Sequence, residues 1–580
     1  MLSTLATGLH ALTHGWSGLA FGYATVQGPM LTALVRSRAQ MRKLLWSPVL
    51  AVPVTLLAGM STAMVHPLLR GLGVANGGLM QLAAGIGVCA AVGYVSGRVI
   101  AKHGSASMSH QRGTLIADSE APSRRQTREA RENGRESSMA AHRREPSLTL
   151  AGMRIPAADE TKHFKFIGTT GTGKSTAICE VLAGALERGD RAIIADPDGG
   201  YLRRFYDERR GDVILNPFEP RAAKWDLYGE IENDYDVAQL ARSLIPDHEG
   251  SERSWRAYGR TFLSAVVEQT RAGGIKDVSE LYRVLVTANT KELKTLVEGT
   301  PAQPFLDEHN VRMFDSIRSV TSSAVESLRY IGEQKGSPLS VRNWVQSGKG
   351  VLFIPYQAGQ IAALRSTVSA WMRLAIFETM NREEGDQRLW FAVDELDALG
   401  QIDGLKDALA RLRKFGGRCL LGFQSIAQVS GTYGRAEAQT IVENCGNTLI
   451  LRCAGSENGG TSQFASRLIG QREVLRTSES RSRRGLQLLS SVTRSQHLNI
   501  EPAVLDSEIE QLSDLKGYLK FASRPEWLRV ALNPPAAARA DEASVRVRTD
   551  ATRTWGELKA RDAGGPATPE RGRANDGFEP

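Results

Sequence analysis

The chain has 580 residues, of which 42% are hydrophobic and 23% are charged. This length and composition exclude a peptide, a single small binding module, a mostly disordered chain and a chain embedded wholly in a membrane. The 72 Lys and Arg residues exceed the 63 Asp and Glu residues by nine, and the first 150 residues, with 15 basic and 6 acidic, hold the whole excess. The charge therefore does not predict nucleic-acid binding by the C-terminal bulk, and it directs attention to the N-terminal region, where positive charge reports membrane topology.

Two uncharged, apolar stretches in that region predict a transmembrane region over residues 44–103, with spans at about 44–65 and 78–97. About 20 apolar residues are needed to cross a bilayer as a helix. Basic residues precede the first span and follow the second, which predicts that both flanks lie in the cytoplasm. Residues 1–43 form an N-terminal segment and basic flank, whose uncharged first part could add a third crossing or lie on the membrane surface. Either alternative leaves the C-terminal bulk in the cytoplasm.

One glycine spacing in the second span and three polar segments of the chain allow only a general interpretation. Gly93 and Gly97 in the second span have the GxxxG spacing that permits close helix packing, although small residues are common enough in such helices to favour chance. Residues 104–147 are interpreted as a solvated connector and residues 534–580 as a disordered tail. The basic, Ser-rich segment 472–494 is interpreted as a solvated loop, with a DNA-facing loop as the alternative.

A phosphate-binding motif follows these N-terminal segments. The strand-like HFKFI leads into GTTGTGKS, and the helix-like TAICEVLAGALERG comes next. The pattern G-x-x-x-x-G-K-[ST] between a strand and a helix is typical of the P-loop, whose backbone N–H groups wrap phosphates. Lys174 is expected to reach the β- and γ-phosphates, Ser175 to coordinate Mg²⁺ and Thr176 to begin the helix. The candidate nucleotide-binding residues are Gly168, Thr169, Thr170, Gly171, Thr172, Gly173, Lys174, Ser175 and Thr176.

Acidic and polar residues end two later strand-like segments. RLWFAVDEL places Asp394 to hold magnesium, through water, and Glu395 to orient or deprotonate the attacking water. RCLLGFQS ends at Gln424, which either senses the γ-phosphate or only satisfies a turn. The helix-like DALARLRKFGG between them carries Arg411 and Arg413 near its end, where cations also suit the helix dipole.

The order of apolar segments predicts the fold. Strands around residues 163, 192, 213, 351, 390, 419 and 448, with helices between several of them, predict a mainly parallel sheet of the P-loop class. Residues 226–336 are predicted to form an all-helical insertion, which divides the nucleotide-binding domain into a first part, 148–225, and a second part, 337–533. The predicted fold class is α/β, with a P-loop NTPase core, this insertion and an N-terminal transmembrane region.

From Gln111 to Val530 the chain resembles a family, the conjugative type IV secretion coupling proteins of the TraD and TrwB type. The resemblance rests on motifs that occur in the family's order: HQRGTLIA, IGTTGTGKST, RAIIADPDGGYL, ILNPFEPRAAKWDLYGEI, SWRAYGR, FDSIRSVTSSAVESLRYI, LWFAVDELDAL and LLGFQSIAQVSGTYG. The family consists of DNA-pumping ATPases with a RecA-like core. The resemblance therefore implies ATP and Mg²⁺ as cofactors and a homo-hexamer around DNA.

The resemblance also implies roles for single residues. It assigns Lys174 and Ser175 to phosphate and magnesium, Asp394 to magnesium, Glu395 to catalysis and Gln424 to sensing. It makes Arg413 the arginine finger that acts on a neighbouring subunit, with Arg411 as the runner-up.

The function implied by the resemblance is the delivery of relaxase-bound DNA to the type IV secretion channel by a multi-pass inner-membrane protein. Two alternatives are an FtsK-like DNA translocase and a nucleotide-switched membrane platform that docks protein substrates.

Overall fold

The computed structural model describes residues 16–37, 43–56, 58, 79–102, 109–118, 147–247, 252–383, 388–456, 460–482 and 491–534. The predictions for the first 15 residues, the end of the first span, most of the connector and the tail beyond residue 534 lie outside the described residues. The chain forms two compact units. The first unit contains the described residues up to Gly113 together with Arg472–Glu501, and the second unit contains the rest.

The strands are numbered in chain order. They are β1 Ser109–Gly113, β2 Ile116–Asp118, β3 Thr149–Leu150, β4 Met153–Arg154, β5 Phe164–Ile167, β6 Arg191–Pro197, β7 Val213–Ile214, β8 Lys224–Trp225, β9 Pro338–Leu339, β10 Val351–Tyr356, β11 Leu389–Val393, β12 Gly417–Phe423, β13 Asn447–Ile450, β14 Gln471–Ser482, β15 Ser491–Pro502, β16 Lys516–Lys520 and β17 Trp527–Ala531.

The α-helices are numbered in the same way. They are α1 Trp16–Arg36, α2 Lys43–Leu56, α3 Leu79–Lys102, α4 Ala157–Glu160, α5 Lys174–Glu187, α6 Gly200–Phe205, α7 Asp234–Leu244, α8 Arg253–Ala272, α9 Val278–Val286, α10 Thr290–Leu296, α11 Val311–Ala324, α12 Ser327–Glu333, α13 Val341–Ser347, α14 Ile361–Met380, α15 Leu405–Leu412, α16 Ile426–Tyr433, α17 Arg435–Asn444, α18 Gly460–Ile469 and α19 Asp506–Glu510.

The second unit is built on a sheet that, in the described part of the chain, has ten strands in the order β2-β17-β16-β13-β5-β12-β11-β6-β10-β7. The strands from β13 to β7 are parallel, and β16 and β17 extend the sheet antiparallel. Strands β10, β11 and β12 are buried along their whole length, as expected for parallel strands covered on both faces. The predicted α/β core is therefore confirmed, with a strand at each of the seven predicted positions.

Strand order places the P-loop, Asp394 and Gln424 at one edge of this sheet. Strand β12 lies between β5, which leads into the P-loop, and β11, which leads into Asp394. Because all three strands are parallel, their carboxyl ends meet at the same edge. Gly422 near the end of β12 lets this edge close tightly, since a Cβ there would collide with the carbonyl oxygen of Asp394.

Helices α7 to α12 follow β8 without an intervening strand among the described residues before β9. Their apolar faces bury a common core, in which the rings of Phe262 and Phe314 meet edge to face at 5.2 Å. A buried ion pair ties this helical segment to the helix that returns to the sheet. Arg342 on α13 donates to both carboxylate oxygens of Asp236 on α7, at 2.6 and 2.7 Å.

In the first unit, one helix of the described residues is long and apolar enough to cross a membrane. This is α3, with the apolar window Ala83–Ile100, and it contains nearly all of the predicted second span. Helix α2 is apolar but shorter and covers the first part of the predicted first span. Lys43 Nζ at the start of α2 donates to the carbonyl oxygen of Ile100 near the end of α3 at 2.8 Å. The basic start of α2 and the basic end of α3 therefore lie close together.

The attribution of the Gly93 and Gly97 spacing to chance is wrong. Both glycines face the backbone of α1, and a Cβ on Gly97 would lie 2.6 Å from the carbonyl oxygen of Met30. A Cβ on Gly93 would collide with the carbonyl oxygen of Val26. Small residues at this spacing allow two helix backbones to approach closely, and here they set the packing of α3 on α1.

The interpretation of segment 472–494 as a loop is also wrong for its described residues. They belong to β14 and β15, which form a three-stranded sheet with β1 in the order β1-β14-β15. Ion pairs from Arg472 and Arg476 to Glu501 join β14 and β15, at 2.9 and 2.6 Å. The partner strand β1 lies more than 350 residues earlier in the chain, so no local pattern announces the pairing.

Candidate nucleotide-binding site

The P-loop connects β5 to α5 and has the backbone that its glycines were predicted to provide. Gly171 and Gly173 have φ angles of 78° and 116°, which are left-handed and favour glycine. A Cβ on Gly173 would also lie 2.8 Å from Leu515 Cδ2. Helix α5 begins at Lys174, two residues before the predicted start at Thr176. Its first N–H groups have no side-chain cap, which leaves them available to an anion.

Lys174 is buried and folded onto the loop that it serves. Its Nζ donates to the carbonyl oxygens of Gly168 and Thr169, at 2.7 and 3.1 Å. Burial lowers the pKa of Lys174, while the nearby carboxylates of Asp394 and Glu395 act in the opposite direction. The ammonium group therefore lies between the loop and the acidic pair.

Asp394 follows β11 and reaches the P-loop directly. Its Oδ2 accepts hydrogen bonds from Ser175 Oγ at 2.5 Å and from the Tyr201 hydroxyl at 2.9 Å. Its Oδ1 is buried and has no hydrogen-bond partner among the described residues. The two segments, 219 positions apart in the chain, thus meet in one site.

Glu395 points toward the neighbouring strand end. Its Oε1 accepts a hydrogen bond from Gln424 Nε2. Burial raises the pKa of Glu395, and the adjacent charge of Asp394 raises it further. A carboxylate with a raised pKa is a better proton acceptor than an exposed one, as general-base chemistry requires.

Arg413 is the predicted site residue that the structure does not bring to this edge. It lies in a 3₁₀ turn after α15 and before the amino end of β12, with an exposed side chain. Gln424 follows the opposite end of the same strand. Since seven extended residues span about 20 Å, Arg413 cannot reach the P-loop of its own chain across the strand.

Three residues near the acidic pair, Asp196, Tyr201 and Tyr356, are absent from the sequence prediction. Asp196 at the end of β6 accepts hydrogen bonds from the backbone N–H groups of Tyr201 and Leu202, at 3.0 and 2.7 Å. The buried hydroxyl of Tyr356 at the end of β10 has no partner among the described residues. An acid at the end of an apolar strand segment was the signal that identified Asp394, and the same signal identifies Asp196.

Buried titratable side chains with raised pKa values lie at this edge of the sheet. Burial raises the pKa of Asp196 to about 7, and the charge of Asp394 contributes in the same direction. Burial also raises the pKa of Tyr356, with further contributions from Glu395 and Asp394. Carboxylates held this closely are stabilised by a cation, and the donors offered by Ser175 and Asp394 are the hard oxygens that Mg²⁺ prefers. The free, buried Oδ1 of Asp394 fits that requirement.

The parallel sheet, the glycine loop and the acidic strand end define an α/β P-loop NTPase core. A sequence model described as "Type IV secretion-system coupling protein DNA-binding domain" matches residues 147–533. The chain belongs to this family of type IV secretion-system coupling proteins.

Individual relatives are similar over much of the chain. Coupling protein TraD of Escherichia coli K12 is 29% identical over 416 residues, which cover 67% of this chain and 58% of TraD. The coupling protein VirD4 of Bartonella henselae is 27% identical over 299 residues, covering 48% of this chain and 41% of VirD4. The chain thus spans little more than half the length of TraD and less than half the length of VirD4.

Solved structures of the conjugative coupling protein TrwB match over most of their length. The unbound form TrwBdeltaN70 has a TM-score of 0.65 and 29% identity, and the match covers 77% of this chain and 98% of that one. TrwB in complex with ADP and Mg²⁺ has a TM-score of 0.64 at the same identity and coverage.

Proposed function

We propose that this chain is an inner-membrane coupling protein that uses ATP hydrolysis to recruit relaxase-bound DNA and pump it into a type IV secretion channel during conjugation. The observation that carries the proposal is the 2.5 Å hydrogen bond between Ser175 and Asp394, which joins the phosphate loop to the acidic strand end. The family to which the chain belongs supports DNA as the cargo. The ADP and Mg²⁺ bound by TrwB support the cofactors.

The site residues act as follows in this proposal. Lys174 exchanges its two carbonyl partners for the β- and γ-phosphates, and the N–H groups of residues 168–176 surround the phosphate oxygens. Ser175 and Asp394 hold Mg²⁺, which neutralises charge on the phosphates when bound. Glu395 orients the attacking water and accepts its proton, and Gln424 couples Glu395 to the presence of the γ-phosphate. The existing Gln424 to Glu395 hydrogen bond supports this coupling.

We further propose that residues 226–336 form an all-helical domain inserted between the nucleotide-binding parts 148–225 and 337–533. The series of helices from α7 to α12, without a strand among the described residues, supports the boundary. Helices α1 to α3 form the multi-pass membrane anchor. The apolar length of α3 and its close packing on α1 support an anchor, and the basic flanks of α2 and α3 favour the cytoplasm for the second unit.

We also propose a homo-hexamer around DNA, and the position of Arg413 supports an assembly in which subunits share a site. The exposed side chain at the far edge of the sheet is suited to a neighbouring subunit's site and not to its own. An arginine supplied to the phosphates by a neighbour stabilises charge in the transition state. ATP binding would then close the interface between subunits, and hydrolysis would open it.

We expect Arg413→Ala and Glu395→Gln to complement each other in mixed oligomers. Each variant alone is expected to be nearly inactive as an ATPase. In an equal mixture, about a quarter of the interfaces in a ring pair an intact Glu395 with an intact Arg413. ATP turnover of the mixture after subunit exchange should therefore exceed that of either variant. Arg411→Ala, two residues away, is the control and should retain activity alone. Failure of every mixing ratio to recover turnover would count against a finger that acts between subunits.

ATP hydrolysis by the full-length chain in detergent, with and without DNA of mixed sequence, tests the proposed function. Contacts with the phosphate backbone ignore base identity, so stimulation is expected with unrelated sequences and should weaken as salt rises. A chain that hydrolyses ATP without any response to DNA, in all oligomeric states, would instead be a docking platform for proteins. Recruitment in cells that depends on cell division and not on a relaxase would indicate an FtsK-like translocase.

A further inference from the structure

The carboxylate of Asp394, which accepts a hydrogen bond from the P-loop, also accepts one from a tyrosine. The Tyr201 hydroxyl donates to Asp394 Oδ2 at 2.9 Å, and Ser175 Oγ donates to the same oxygen at 2.5 Å. Oδ1 of this carboxylate is buried without a partner among the described residues. A carboxylate oxygen has two lone pairs, so Oδ2 is fully used and Oδ1 is the oxygen left for a ligand.

Tyr201 is itself fixed in place by the strand beside β11. It lies on the short helix α6, whose first turn is held by Asp196 through the backbone N–H groups of Tyr201 and Leu202. Strands β6 and β11 are adjacent and pair Ala195 with Val393, so Asp196 and Asp394 follow neighbouring strand positions. The tyrosine side chain is 3% exposed. Its hydroxyl is therefore held at a fixed position relative to Asp394.

We propose that Tyr201 is a positioning residue that orients Asp394 for Mg²⁺, and this inference rests on the proposed function. Ser175 would bind Mg²⁺ through a lone pair of Oγ and keep its proton, so it could still donate to Asp394 Oδ2. The Tyr201 hydroxyl is the donor that does not belong to the P-loop, and it holds Oδ2 so that Oδ1 stays available to the metal. Tyr201 does not touch the nucleotide or the metal, and it acts through Asp394.

The size of the effect follows from other metal sites. Residues that orient a metal-binding carboxylate or imidazole change metal affinity by about 10- to 100-fold when they are replaced. Tyr201→Phe removes the hydroxyl and keeps the ring. The concentration of Mg²⁺ that gives half-maximal binding of a fluorescent, non-hydrolysable ATP analogue should therefore rise by about 10-fold or more. Affinity for the same analogue without Mg²⁺ should stay unchanged, because the P-loop and Lys174 are untouched.

The experiment uses the full-length chain in detergent, with Tyr228→Phe as the matched control. Tyr228 is also buried, and the substitution removes a hydrogen bond of the same length, 2.9 Å, to Thr270 in the helical segment. Its Mg²⁺ dependence should therefore match the parent. In an Asp394→Asn background, Tyr201→Phe should cause no further shift, because the carboxylate on which it acts is gone.

Three outcomes would separate the explanations. An unchanged Mg²⁺ requirement in Tyr201→Phe overturns the inference and leaves the proposed function intact. Equal losses of affinity with and without Mg²⁺, together with a lower unfolding temperature, overturn it in favour of a structural role. Failure of the unmodified chain to bind the analogue at any Mg²⁺ concentration would contradict the proposed function itself.

Discussion

Replacement of Lys174 by alanine is expected to abolish DNA transfer and to weaken nucleotide binding severely. The substitution removes the one charged side chain of residues 168–176, which is proposed to bind the phosphates, and each hydrogen bond to a charged group contributes about 1.5–3 kcal/mol. Loss of even one such bond weakens binding by about 10- to 100-fold. Equilibrium binding of a fluorescent ATP analogue measures the affinity, and a mating assay measures the transfer.

The control for Lys174→Ala is Lys294→Ala, which removes an exposed lysine from α10 in the helical segment. It should bind the analogue and support transfer as the parent does. Both variants should fractionate with the membrane, because the P-loop and helices α1 to α3 belong to different units. Normal transfer by Lys174→Ala would reject the proposed motor.

The variant Glu395→Gln is expected to bind ATP with nearly parental affinity and to hydrolyse it about 10²- to 10⁴-fold more slowly, the usual contribution of a positioned general base. The amide oxygen of the new side chain can still accept the hydrogen bond from Gln424, so the change removes basicity and keeps the contact. Single-turnover hydrolysis at saturating ATP measures the chemical step.

A matched control for Glu395→Gln exists on α17. Glu443 is exposed and also accepts a hydrogen bond from a glutamine, Gln439 Nε2, at 2.8 Å. Glu443→Gln therefore makes the same chemical change in the same kind of contact, away from the acidic strand end, and should leave turnover unchanged. Turnover by Glu395→Gln close to that of the parent would remove Glu395 from its proposed role.

The meeting of the P-loop with Asp394 and Glu395 could be anticipated because it depends on simple rules. Short apolar segments mark the buried parallel strands, and parallel strands bring their carboxyl ends to one edge. The GTTGTGKS and VDEL segments each follow such a strand. The catalytic and binding roles of these residues stay predictions, whereas the α/β core and the family are confirmed.

The contacts that escaped prediction depend on partners distant in the chain. Tyr201 reaches Asp394 only because Asp196 fixes the start of α6 beside β11, and no spacing in RAIIADPDGGYL encodes that contact. The spacing of Gly93 and Gly97 is wrongly attributed to chance, because the sequence does not show which helix they pack against. The pairing of β14 with β1 joins two polar segments, and few side chains are buried among residues 110–113 and 471–476.

Cryo-electron microscopy of the full-length chain with DNA and a non-hydrolysable ATP analogue tests the central claim most directly. The account predicts one triphosphate per subunit, cradled by residues 168–176 with Asp394 and Glu395 at its γ-phosphate end, in a ring that surrounds the DNA. A triphosphate bound away from the P-loop, or an acidic pair too far from it to share the same metal ion, would contradict the account.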